Sequence, residues 1–410
     1  MFKRIVETVE ASEARFTEFV RSLVRIPTIT AYGPEGSYDE IIEILKRNLS
    51  NIGFAIDILE SEPNKPNLVA RKPGKNGASS LHFNGHVDVL PVSQEDWSVN
   101  PFSAELMDGR IYGRGTIDMK GGLASAILAA EVLHNLGVKL SGDIIISAVV
   151  DEEVGGQAGL GFLVSQHPES VVSTSAIIPE PTEMNSIVVS NKGALWLDFE
   201  TSGVSVHSAY PKRGVNAIAQ MVQLIEAVSR MIMSRTKRDP LIWEHDPEVS
   251  TTSMNLGVIS GGVKPNIVPD RCRLSIDIRL LPGERCSDYI EKVQEIIREL
   301  KKTDPTFDSK VEIPVIIEPT EISKSEPLVI TTSQCVQKVT GQAPKIVGAP
   351  WFSDRHYLVN ILGVPCLHFG PGRCGTDRCG GSNEYIEVEE LKQMTVINAL
   401  IMLEMLGSTT

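Results

Sequence analysis

Three apolar runs of strand length in this chain each end in residues that bind metal or move protons. Leu81-His82-Phe83-Asn84 leads into Gly85-His86-Val87-Asp88, Ser147-Ala148-Val149-Val150 into Asp151-Glu152-Glu153, and Ser175-Ala176-Ile177-Ile178 into Pro179-Glu180. Strands that are apolar without alternation need cover on both faces, which is met by a parallel or mixed sheet between helical layers. In such open α/β sheets, ligands bind outside the carboxyl ends of the strands. Carboxylates gathered there without counter-charge would each cost several kcal/mol, so the cluster calls for cations.

The remaining pattern fits that frame. Ile5–Ile26 and Tyr38–Ile52 carry apolar residues at helical spacing, the second stretch ending at Gly53, and Lys120–Leu136 is small and apolar enough for a helix buried on most sides. AIDILE, NLVA and Val364–Phe369 add further strands. Between about Ile187 and Glu318 the strands alternate instead, as in LWLDFETSG and RLSIDIRLLPG, with long helices at Asn216–Ser234 and Ser287–Lys302. Alternation means one wet face. The buried-strand pattern resumes afterwards, so this segment reads as an insertion: residues 1–186 and 319–410 form one α/β domain, and 187–318 a separate α+β domain.

The 410 residues carry a formal net charge of −13, a field that repels nucleic acid and anionic membrane. Six cysteines without repeated CxxC spacing argue against a disulfide framework. The amino-terminal stretch has acids where a signal peptide needs an apolar run, and no apolar run approaches the roughly 20 residues that span a bilayer. A cytoplasmic location is therefore expected.

Each motif alone has a plainer reading. His86 and Asp88 leave the same side of an extended segment, which lets Asp88 steady a metal-coordinating imidazole, but such a pair also ends ordinary polar strands. Asp118, within Gly113-Arg114-Gly115-Thr116-Ile117-Asp118-Met119-Lys120-Gly121-Gly122, could bridge two ions or simply cap a helix. Asp151-Glu152-Glu153 could be a solvated acidic turn; the apolar strand ahead and Gly155-Gly156 behind argue for a site. If the segment is extended, Glu152 and Glu153 point to opposite sides and can divide the work.

Together, GHVDVLP, GRGTIDMKGG, DEEVGG and PEPT, in this order and spacing, resemble the zinc aminoacylase/carboxypeptidase family, which takes in acetylornithine deacetylase, succinyl-diaminopimelate desuccinylase, aminoacylase and glutamate carboxypeptidase. The likeness continues through SGVSVHSAYPKRGVNAI, GGVKPNIVPD, SIDIRLLPGE and FGPG…NEYI. It implies a three-layer αβα zinc-hydrolase domain with an inserted ferredoxin-like lid and dimerisation domain, two Zn2+ per chain and a homodimer through the lid. Co2+ or Mn2+ would also suit an oxygen-rich site. The resemblance assigns His86 and Glu180 to one metal, Glu153 to the other, Asp118 as the bridge and Asp88 as the orienter of His86. Glu152 would take a proton from the water between the metals and pass it to the leaving nitrogen. His207 would steady the oxyanion, and Asn266 would contact substrate. Arg279 is either a carboxylate anchor or the partner of Asp277 or another acid.

One departure concerns the end of the site. Relatives place a histidine shortly before the Asn-Glu-Tyr segment, whereas FGPGRCGTDRCGGSNEYI has none; Cys379, nearest the expected place, is the first substitute, with Asp377 and Cys374 behind it. Thiolate is a good zinc ligand. The activity implied is removal of an acyl group from an N-acyl amino acid, with dipeptidase or carboxypeptidase action as runner-up. A non-catalytic metal-binding homologue is the alternative from another class.

Overall fold

The apolar runs form the middle of one twisted sheet. In the computed structural model, which describes residues 1–30, 38–77, 79–234, 239, 241, 250–372 and 379–409, contacts divide the chain into two units. One comprises Met1–Val189, Ile322–Val347 and Ser353–Thr410; the other comprises Ser190–Glu321 and Gly348–Phe352.

In the first unit, strands β1 (Ala55–Glu60), β2 (Pro66–Lys72), β3 (Ser80–His86), β4 (Asp143–Val149), β5 (Ser175–Ile178), β6 (Ser186–Asn191) and β7 (Cys366–His368) lie in the order β1-β2-β4-β3-β5-β7-β6. The pairs β4–β3, β3–β5 and β5–β7 are parallel, with His86 opposite Val149 and Phe83 opposite Ile177. The outer pairs are antiparallel. Parallel strands aligned this way deliver their carboxyl ends to one edge of the sheet. Ile145 and Val149 pack on one face with Leu160, Leu163 and Leu358. The helices Gly121–Asn135 and Val388–Leu406 pack together and against β3. Helices thus cover both faces, in the three layers expected from unbroken apolar strands.

Two local expectations are corrected. The amino-terminal stretch is two helices, Phe2–Ala11 and Glu13–Val24, broken at Ser12, whose backbone leaves helical geometry; serine competes for local backbone bonds and suits helix ends. The acidic turn is not extended: Glu152–Val154 is a single 3₁₀ turn, entered through Asp151 at φ 72°. Asp151 is held there by Lys65, 3.1 Å from Oδ1, and by the Ala158 N–H, which donates to Oδ2 at 3.0 Å. Because a 3₁₀ turn has about three residues per turn, Glu152 and Glu153 still diverge.

The second unit is a four-stranded antiparallel sheet, ordered Ser253–Gly261, Arg271–Leu280, Gly193–Ser202, Ser309–Ile317. Its helices, Ala217–Met233 and Cys286–Thr303, share a core with the inward residues Leu195, Leu197, Phe199, Leu274, Ile276 and Ile278. The chain order β-α-β-β-α-β with this strand order is the ferredoxin-like split βαβ arrangement. Gly348–Phe352, assigned by the sequence to the last domain segment, groups with this unit. No helix among the described residues is long and apolar enough to cross a membrane.

Candidate metal centre

At the carboxyl edge of the sheet, β3 ends at His86, and the next residues carry Asp88; β4 runs into Asp151–Glu153 and β5 into Pro179-Glu180. The His86 imidazole is the hub. Its Nε2 lies 3.0 Å from Asp118 Oδ1, 3.6 Å from Glu180 Oε1 and 3.9 Å from Glu152 Oε2. One ligand-capable atom from each of His86, Asp118 and Glu180 falls within 4.8 Å of the others. Burial by itself would lower the proton affinity of His86. The hydrogen bonds that the imidazole donates to the Asp118 and Asp88 carboxylates, and the charges of Glu152 and Glu180, outweigh it and leave the imidazole well above its ordinary range. The carboxyls of Glu152 and Glu153 are also pushed well above theirs, chiefly by burial. Glu180 adds to this for Glu152, and Asp118 for Glu153. The raised histidine and glutamates together mark an excess of negative charge, which favours a bound cation.

Other segments fix the ligands. His86 Nδ1 lies 2.8 Å from the Asp88 main-chain oxygen and 3.5 Å from its carboxylate. The Asp88 carboxylate accepts the N–H groups of Glu152, at 3.3 Å, and Glu153, at 3.2 Å. Asp88 therefore orients the imidazole mainly through its carbonyl, while its side chain ties the acidic turn to the end of β3.

The Asp118 loop is held by two residues that motif reading left without a role. Glu384, fully buried, accepts the N–H of Ile117 at 2.8 Å and of Asp118 at 3.3 Å. Arg114 donates to Glu384 Oε2 at 2.8 Å and to the carbonyls of Gly380 and Gly381. This pair joins the Asp118 loop to the loop of Cys379, whose thiol lies 3.5 Å from Asp118 Oδ2. Behind the loop, the buried Lys120 ammonium donates to the carbonyls of Leu23 and Ile26, satisfying the end of the helix Glu13–Val24. The helix Gly121–Asn135 then begins so close to β5 that a Cβ at Gly122 would collide with the Pro179 carbonyl oxygen, which brings Asp118 and Glu180 together.

The donor set fits a divalent ion at His86, Asp118 and Glu180, the one such cluster among the described residues. Imidazole, carboxylates and thiol are the ligand types of zinc. Asp118 faces His86 with Oδ1 and Cys379 with Oδ2. Glu153 Oε1, buried and near Asp118, has no hydrogen-bond partner among the described residues. A buried acceptor in that state is what a second ion would satisfy. Cys374 and Asp377 lie outside the described residues.

In the second unit, His207 bridges to Ile267, and Ser208 N–H donates to the Asn266 carbonyl at 3.0 Å, so the exposed His207 and Asn266 are neighbours. Arg279 Nε donates to Asp277 Oδ2 at 2.9 Å, and its guanidinium lies 4.9 Å from the Phe352 ring centroid. In the first unit, Asp354 is buried in a segment that carries no recognised motif, and its Oδ2 accepts from Asn84 Nδ2, distant in sequence.

The chain matches the sequence profile of peptidase family M20/M25/M40 over residues 82–404. An N-formyl-4-amino-5-aminomethyl-2-methylpyrimidine deformylase of Halalkalibacterium halodurans is 27% identical over 423 residues, covering 96% of this chain and 95% of its own. An acetylornithine deacetylase of Pasteurella multocida is 29% identical over 367 residues, covering 87% and 90%. Among solved structures, an M20 family metallo-carboxypeptidase of Sulfolobus solfataricus superposes with a TM-score of 0.79 at 19% identity, covering 95% of this chain and 98% of its own.

Proposed function

The chain belongs to peptidase family M20/M25/M40 and is a hydrolase of amide bonds, and from that premise we propose that it removes a small acyl group from an N-acylated amine, an N-acyl amino acid foremost. The observation that carries this reading is the His86–Asp118–Glu180 cluster with the Glu152 carboxyl beside it. The relatives named for removing formyl and acetyl groups support a small acyl group rather than a fixed amine.

In this reading His86 and Glu180 would hold one zinc ion and Glu153 and Cys379 the other, with Asp118 as a ligand available to both. When bound, the two ions would acidify a water and polarise the acyl carbonyl. Glu152 takes the proton released and delivers it to the departing nitrogen. Burial raises its carboxyl above the ordinary range, so it holds a proton more readily than an exposed glutamate does. Asp88 holds the turn and the imidazole in place. His207 and Asn266 serve the acyl oxygen and the substrate, and Arg279 the substrate carboxylate if it can leave Asp277.

A homodimer through the second unit belongs to the same proposal. Its edge strand Ser253–Gly261 exposes Leu256, Val258 and Ile259, and Ile218 and Val222 are exposed on the helix Ala217–Met233. An edge strand with exposed aliphatic residues pairs readily with another edge. Thiolate ligation of a metal also suits a reducing, cytoplasmic setting.

The test is a turnover screen of N-formyl, N-acetyl and N-succinyl amino acids with dipeptides on the zinc-loaded protein. Hydrolysis of an acyl amino acid, reduced about 10²- to 10⁴-fold in Glu152→Gln with metal retained, is expected. Faster cleavage of dipeptides would favour the peptidase reading, and no hydrolysis of either class would overturn the enzyme assignment to small amides.

A further inference from the structure

Beneath the acidic turn lies a buried acid that the catalytic scheme does not use. Asp354 is 2% exposed. Its Oδ2 accepts from Asn84 Nδ2 at 3.3 Å, and Asn84 stands on β3 just ahead of His86. Asn84 is itself fixed, because its Oδ1 accepts from Ser147 Oγ at 2.6 Å, and Ser147 Oγ is 2.7 Å from His82 Nε2. On its other side Asp354 meets the turn that carries Glu152. Gly156, at φ 69°, approaches so closely that a Cβ there would overlap Asp354 Oδ1. The same segment grips the turn again through Tyr357, whose hydroxyl donates to the Gly155 carbonyl at 2.8 Å. The segment is anchored from behind, where Ser353 Oγ is 2.7 Å from His368 Nε2 on β7 and Arg355 N–H donates to Ser353 Oγ at 3.2 Å.

Stability does not explain an acid at this position. Asp354 Oδ1 is buried with no hydrogen-bond partner among the described residues, a state that costs about 1–3 kcal/mol relative to a satisfied group. Burial holds the carboxyl up, to about 7. What the residue does is fill the gap between the strand of His86 and the turn of Glu152 with a rigid polar wedge.

We propose that Asp354 is a positioning residue for Glu152: by bonding Asn84 and abutting Gly156, it locks the Glu152–Gly156 turn to β3 and keeps the Glu152 carboxyl in reach of the site centred on His86. The inference rests on the reading of Glu152 as the proton carrier. It locates the control of Glu152 in a residue 202 positions further along the chain.

The experiment compares Asp354→Ala, Asp354→Asn and Glu152→Gln in the full zinc-loaded chain, reading kcat, KM, metal content and melting temperature on one N-acyl amino acid that the wild type hydrolyses. Asp354→Ala is expected to lower kcat about 10²-fold, the loss that follows when a catalytic group is displaced by about 1 Å. KM should stay within about twofold, with both metals bound, and the isosteric Asp354→Asn should recover most of kcat. Wild-type kcat in Asp354→Ala overturns the proposal, as does a loss confined to KM or one that tracks metal loss. Should Asp354→Ala not fold, Asn84→Ala decides, since it removes the bond by which Asp354 grips β3: lowered kcat with metal retained supports the proposal, and unchanged kcat overturns it. Glu152→Gln separates the two readings. If it keeps turnover, the assignment of Glu152 fails; if it loses turnover while Asp354→Ala does not, only the present inference fails.

Discussion

The carboxylates of Asp118, Glu152 and Glu180 converge on His86, and this crowding sets how the metal-free protein should respond to pH. The imidazole is held well above its ordinary 6.5, so the stability it contributes is complete below 6.5 and is lost as pH rises through its folded value. Glu152 and Glu153, raised above 4.5, act in the same direction, because the folded state binds more protons than the unfolded chain until they ionise. Asp118 is lowered below 3.8 despite its burial, by its bonds to His86 and Cys379, and weakens the fold only in stronger acid. After chelation, the melting temperature of the wild type should fall relative to that of Glu152→Gln as pH rises above 4.5, while zinc should bind more tightly as its ligands lose their protons. A difference between the two proteins that does not change with pH would contradict this electrostatic account. Cys379 gives a second prediction at this scale. Cys379→Ala should keep the ion held by His86 and Glu180 and lose its neighbour, and Cys379→His should restore both, as read by metal analysis. Full zinc content in Cys379→Ala would place the late ligand elsewhere.

Elements deliver these residues, and strand ends were the most legible of them. An apolar run that stops at Asp151 or Glu180 states its own boundary, because the physics of burial changes there. The 3₁₀ turn at Glu152–Val154 was not legible, since Asp151 takes its left-handed conformation from Lys65 and Ala158, which are far from it in sequence or structured only by the fold. Glu384 and Asp354 were hidden for the same reason: their partners, Ile117 and Asn84, lie some 270 residues earlier. The close start of the helix Gly121–Asn135 yields a prediction for an element. Gly122→Ala should destabilise the protein by about 1–3 kcal/mol in urea unfolding, the usual range for overpacking. It should also weaken metal binding, because the shift falls on Pro179-Glu180. An unperturbed unfolding curve would mean that the helix start can yield without moving the site.

Across the whole chain, the discontinuous architecture followed from the change between unbroken and alternating strands, a signal that survives without any relative for comparison. What one chain could not reveal was which surface of the second unit meets another copy, since exposure becomes visible only once the edge strand is built. The exposed Leu256, Val258 and Ile259 predict a dimer that Val258→Glu converts to monomer in light scattering; a wild type that is monomeric at all concentrations would refute it. The central claim concerns chemistry: two ions held by this constellation and a proton carried by Glu152. Its most direct test is metal analysis paired with turnover of an N-acetyl amino acid for wild type and Glu152→Gln. The account predicts close to two zinc ions per chain in both proteins, with turnover lost only in the variant. One ion or none in the wild type, or a Glu152→Gln enzyme that still turns over, would contradict it.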